Sequence, residues 1–214
     1  MKTLLDLLLF ASLTSSLSFG QKFQDLTAKG APASVGVKHD LVDMGPYGAV
    51  RNQSSKGIIA FVAVIKSTDN RGQVLPCTGR ADYIFKSGVL APQEERFACL
   101  MEAADRGAKV VETVGAVVWI QFEDGSTWGD AGAGQQVLAA RPKRFAYLKH
   151  LVETYYESGE DAFGAALNDP KLGFPEFAVA GCLKSDAEYE KISTIDLAKT
   201  RLATAQEWRA LGIF

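Results

Sequence analysis

The chain has 214 residues, 47% hydrophobic and 22% charged, an ordinary globular balance with room for one large domain or two small ones. Its net charge of −2 and pI near 5.8 argue against a general nucleic-acid binder, which carries a basic excess, and give no polybasic handle for an anionic membrane. Three cysteines are too few for a disulfide scaffold or a four-thiolate zinc site.

Residues 1–20 read as a secretory signal peptide. Lys2 supplies a positive start, and the run from Leu4 to Leu13 is apolar except for Asp6 and Ser12. Small residues, Ser18 and Gly20, suit a cleavage site before Gln21. The run is too short to cross a bilayer as a helix, which takes roughly 20 residues. Asp6 departs from the pattern, and the competing reading is an amphipathic helix that stays on the protein. Cleavage predicts a secreted or periplasmic product with no integral membrane segment.

From Val35 to Trp128 the pattern is that of strands. Gly57 to Lys66 is β-branched and apolar on both parities, as in a strand covered on both faces. In Val110 to Phe122 the even positions form one apolar face broken by Glu112. Asp124-Gly125 then signals a hairpin, with Thr127-Trp128 starting the return strand. Weaker strands are expected at Ser34 to Met44, Asp82 to Lys86 and Glu95 to Met101. The segment Glu94 to Arg106 also fits a helical stripe, and is read as strand then loop.

Past Gln136 the period becomes helical. Pro142 suits a first turn, and Phe145, Leu148, Leu151, Val152 and Tyr155 form an apolar stripe. Gly159 is read as a stop, and Ser158 with Asp161 as the start of a short helix through Leu167. Lys171 to Gly181, with two glycines and Pro175, reads as loop. Ser185-x-x-Glu188 matches a capping box, and Ser193-x-x-Asp196 is a shorter variant. Ile195, Ala198, Leu202, Ala205 and Trp208 give the last helix one buried face. Gly129 to Gly134 falls where a linker would.

Asn52-x-Ser54-x-Lys56-x-Ile58-x-Ala60-x-Val62, then Asp69-x-x-Gly72, then Val118-x-Ile120-x-Phe122-Glu123-Asp124-Gly125-x-x-Trp128 together resemble exported bacterial immunoglobulin-like β-sandwich domains of uncharacterised function. The resemblance covers about residues 30–130 and implies a fold without a chemistry. The expected class is therefore α+β: an antiparallel immunoglobulin-like β-sandwich over 30–130, followed by a C-terminal helical region over 136–214. The helices either pack on the sandwich or form a module of their own.

Chemical signals are sparse. In an exported chain Cys77 and Cys99 are candidates for a bridge, stabilising by about 3 kcal/mol in the chain-entropy model, against two buried free thiols. Cys182 is the odd one. The two histidines, His39 and His150, carry no metal or triad spacing, so no metal or cofactor is expected. Gly132-Ala133-Gly134 lacks the strand–turn–helix context of a nucleotide loop. Asp40, Asp43, Glu112, Glu123, Asp124 and Asp130 are the carboxylates from which a glycosidase pair would be drawn. Trp119, Trp128, Tyr155 and Tyr156 are the candidate binding aromatics. Asn52-Gln53-Ser54 is a glycosylation sequon. The leading expectation is a non-enzymatic binding or interaction protein with a protein or carbohydrate partner and no nucleic acid. The alternatives are a hydrolase using paired carboxylates and a structural envelope protein.

Overall fold

The computed structural model describes residues 22–39, 46–85, 88–100 and 108–214. The expected signal segment, Asp40 and Asp43 lie outside them. In chain order the elements are β1 (Lys22–Asp25), β2 (Ala33–His39), β3 (Pro46–Asn52), β4 (Ile58–Asp69), β5 (Val74–Asp82), a 3-10 turn (Tyr83–Phe85), β6 (Glu95–Leu100), β7 (Val110–Phe122), β8 (Thr127–Gly129), α1 (Ala131–Leu167), α2 (Glu176–Glu190) and α3 (Thr194–Ala210).

The class is α+β, but the sheets are not those of an antiparallel immunoglobulin-like sandwich. The larger sheet runs β1-β7-β4-β5, with β8 also on β7. It is mixed, because β1 lies parallel to β7, Lys22 opposite Glu112 and Asp25 opposite Gly115. The smaller sheet, β2-β3-β6, is antiparallel. Val35, Val50, Phe61, Ile65, Val117 and Ile120 fill the space between the two. At one margin Val35 N–H donates to Asp25 Oδ2 at 3.2 Å. At the other, Gly79 of β5 lies so close to Ala98 of β6 that a Cβ there would sit 2.8 Å from the Ala98 carbonyl oxygen.

The expected alternation of β7 holds over only part of its length. Its pairing with β4 slips between Val62 and Ala63, opposite Trp119 and Val117. Before the slip the odd residues Thr113, Gly115 and Val117 are buried; beyond it Ile120 and Phe122 enter the inter-sheet core. A bulge adds one residue to one strand, so the inward parity changes there. β4 is covered on both faces as expected: Phe61, Ala63 and Ile65 face the smaller sheet, and Ala60 and Val62 the helical side.

The start of the helical region differs from the expectation. Gly129 to Gly134 is not a linker: Asp130 caps α1, accepting from Gly132 N–H at 2.8 Å, and the helix begins at Ala131. Gly134 is needed because any Cβ there would overlap the Trp119 indole. Val137 completes that contact with Ala60, Val62 and Trp119. Pro142 therefore lies inside α1, not in its first turn. Gly159 does break the helix, with φ 85°, and the helix closes at Leu167 as expected.

Lys171 to Gly181 is not all loop, since α2 starts at Glu176 and buries Val179, Ala180, Leu183 and Ala187. Ser185 is mid-helix, so its capping-box match is fortuitous. Ser193 does cap α3, its Oγ accepting from Asp196 N–H at 3.1 Å. All three helices share one core with Ile59, Ile84 and Phe85 of the sheet side. The helices thus pack against β4 and the 3-10 turn after β5. No helix among the described residues is long and apolar enough to cross a membrane.

Candidate functional site

The expected binding aromatics do not form one surface. Trp119 is 1% exposed beneath α1, Trp128 is half-buried against the inter-sheet core, and Tyr155 packs with the helical core. Only Tyr155 and Tyr156 meet, their rings 5.7 Å apart, and Lys199 Nζ covers them at 4.6 and 5.2 Å.

Three of the four described candidate carboxylates have local duties. Asp130 caps α1. Asp124 accepts from Lys56 Nζ and from Ser126 N–H, and these bonds hold its carboxyl well below the usual range. Glu123 accepts from Gly57 N–H at 3.0 Å. Asn52 of the sequon is fully buried, donating to Lys56 O at 2.7 Å and Leu90 O at 2.9 Å, so its amide is not presented for glycosylation. Cys77 and Cys99 are bridged, with Cα atoms 6.5 Å apart, inside the reach of a disulfide. The bond joins β5 to β6 across the two sheets.

The junction between sandwich and helices holds an open cleft of about 460 Å³. Alternation along β5 sends Arg80 and Asp82 to the same side, and a helical turn aligns Arg141 with Arg144 on α1. Arg96 enters from β6 and Arg201 from α3. Arg80, Asp82, Arg96, Arg144 and Arg201 line the cleft. Asp82 is its one carboxylate among the described lining residues. The facing pair that glycoside hydrolysis requires is not assembled there. A second, smaller hollow shares Arg80, Asp82 and Arg144 and is flanked by the exposed ring of Phe174.

Asp82 is already neutralised. Arg141, completely buried, donates to it through Nε and Nη2, each at 3.1 Å, and Arg144 Nη1 lies 3.5 Å away. Arg201 pairs with Asp186, and Arg96 Nε donates to Glu94 at 2.6 Å. The Arg80 guanidinium has no hydrogen-bond or ion-pair partner among the described residues. Five guanidiniums thus face three carboxylates. The Nε atoms of Arg144 and Arg201 and Nη1 of Arg141 are buried without an acceptor. A buried donor on a charged group left unmade costs about 1–3 kcal/mol or more.

The walls between the arginines are apolar: Phe85, Phe97, Leu148 and Val179, with Phe97 53% exposed. Burial pushes the Tyr83 phenol up to about 12 against the pull of the Arg96 charge, so it remains a neutral hydroxyl. Burial also works to raise the Glu94 carboxyl, but hydrogen bonds from Arg96 and Ala91 N–H outweigh it and leave the group below its usual range. Forked guanidiniums beside apolar side chains suit a carboxylate or phosphate with an apolar body.

The sequence reading did not single out these residues, yet one signal was present. Arg141 stands four residues after Val137 and four before Phe145, on the apolar stripe of α1. A charge on a buried stripe implies a buried partner. The described residues hold no group of three or more His, Cys, Asp or Glu side chains placed to take a metal ion. Comparison with protein-family models, curated proteins and solved structures returned no match.

Proposed function

We propose that the chain is an exported, non-enzymatic binding protein that takes an amphipathic organic anion in the arginine-lined cleft. The observation that carries the reading is the pair of buried, unpartnered N–H groups on Arg144 and Arg201 in a cleft walled by Phe97, Leu148 and Val179. A bound carboxylate or phosphate pairs with the guanidiniums that line the cleft, and its apolar body covers the walls. Export is supported by the signal layout of residues 1–20, and the Cys77–Cys99 bridge accords with an oxidising compartment.

Titration calorimetry with octanoate, inorganic phosphate and octylamine tests the proposal. Octanoate is expected to bind, phosphate more weakly because it lacks the apolar part, and octylamine not at all. Arg144→Gln is expected to weaken octanoate by roughly 10- to 100-fold, the worth of a hydrogen bond from a charged group. Equal binding of octanoate and octylamine, or no octanoate binding, overturns the reading.

A further inference from the structure

Cys182 lines the same cleft as Arg144 and Arg201 and is exposed. With Cys77 and Cys99 bridged it is the single free thiol of the chain. α2 places it there by burying Val179, Ala180 and Leu183, which leaves position 182 at the margin of the buried stripe. The nearest carboxylate one turn on, Asp186, is tied to Arg201. Arg201 is 5% exposed, and its Nε still lacks an acceptor. A thiol lining an open cleft that Arg80, Arg144 and Arg201 also line, the last with its buried Nε unmatched, is placed to meet a reactant that carries both an anionic group and a sulfur–sulfur bond.

We infer that Cys182 is a site of thiol–disulfide exchange with anionic low-molecular-weight disulfides, whose carboxylates the cleft arginines hold. The inference rests on the cleft's capacity for anions. In the reaction Cys182 gives its proton to solvent and its thiolate attacks one sulfur of the reactant R–S–S–R. The reactant's S–S bond breaks as the Cys182–S–S–R bond forms. The leaving R–S⁻ takes up a proton. The small disulfide is the oxidant, so no further electron acceptor enters. The product is the full chain carrying one R–S group.

Intact-mass kinetics on the full chain test this, using oxidised glutathione as the anionic probe and 2-hydroxyethyl disulfide as the neutral one. The unfolded chain in urea, its bridge intact, gives the reference ratio for a thiol with no cleft around it. The native anionic-to-neutral rate ratio is expected to exceed the reference by about tenfold at low salt and to shrink as salt screens the arginines. Arg201→Gln is expected to reduce the excess. Arg80→Gln, on an exposed side chain, gives the same readout if the Arg201 variant does not fold. A native ratio equal to the reference, or one unchanged by Arg80→Gln, overturns the inference. Octanoate binding on the same sample separates the two readings. Octanoate binding with charge-blind exchange sinks the exchange site alone. Charge-selective exchange without octanoate binding sinks the amphipathic-ligand reading alone.

Discussion

Arg141 on α1 grips Asp82 at the end of β5 through two parallel hydrogen bonds of 3.1 Å, both side chains shut off from water. This pair locks the long helix to the edge of the larger sheet and leaves Arg144, one turn on, turned toward the cleft.

Breaking the pair on one side strands a buried charge. Asp82→Ala and Arg141→Met are each expected to cost about 3–5 kcal/mol. The double variant Asp82→Leu with Arg141→Met is expected to recover most of that loss, because an apolar pair of similar volume needs no desolvation. Urea unfolding followed by circular dichroism measures all three. A double variant as unstable as the sum of the singles would contradict the account.

Gly134 and Trp119 make a second joint between helix and sheet. Gly134→Ala drives a methyl group into the indole and is expected to destabilise by about 1–3 kcal/mol, the usual cost of overpacking. Adding Trp119→Phe is expected to return part of it. The coupling is read from a double-mutant cycle, and tryptophan fluorescence reports the displaced ring.

Thiol counting checks the bridge. One titratable thiol, Cys182, is expected before reduction and three after it. Reduction, or Cys77→Ser with Cys99→Ser, is expected to lower stability by about 3 kcal/mol, since the bond restrains the unfolded chain. Three thiols in the unreduced protein would refute the bond.

Alkali is expected to weaken the fold through Tyr83 and Tyr147, whose phenols burial raises from 10.0 to about 12. Below pH 10 both the folded and unfolded chains keep these groups neutral, and their contribution is complete. Between pH 10 and 12 the unfolded chain ionises first, so stability falls as pH rises. Of the six tyrosines, these two are expected to ionise late in the 295 nm titration. Tyr83→Phe is expected to flatten the fall in urea midpoint between pH 9 and pH 11.

The strands legible in the sequence are those whose apolar pattern decides their fate. β4 and the β7–β8 hairpin are of this kind. In that hairpin Gly125 N–H donates to Phe122 O and Gly125 adopts φ 82°. β5 escaped notice because Pro76 and Gly79 interrupt it. It borders the larger sheet and hydrogen-bonds only β4 there, so Pro76 disrupts little. Asp82 to Lys86 reads as strand, but the chain turns at Tyr83–Phe85, where all three side chains are buried. β1 is four residues with no apolar alternation, and its place is set by its neighbour on β7. The helix stripes were visible at 3.6-residue spacing. The true start of α1 was not, because Gly132 and Gly134 speak against a helix, and the need for Gly134 comes from Trp119 on β7. The cleft was hidden for a related reason: its arginines come from β5, β6, α1 and α3, and sequence spacing can align at most two of them.

β1 also guards one edge of β7. Trimming four or five residues beyond position 21 would erase this strand and uncover the hydrogen-bonding groups of β7 from Glu112 to Gly115. An open margin of that sort recruits a second chain's backbone. A ragged amino terminus would therefore appear first as clumping, well before any loss of the helical signal.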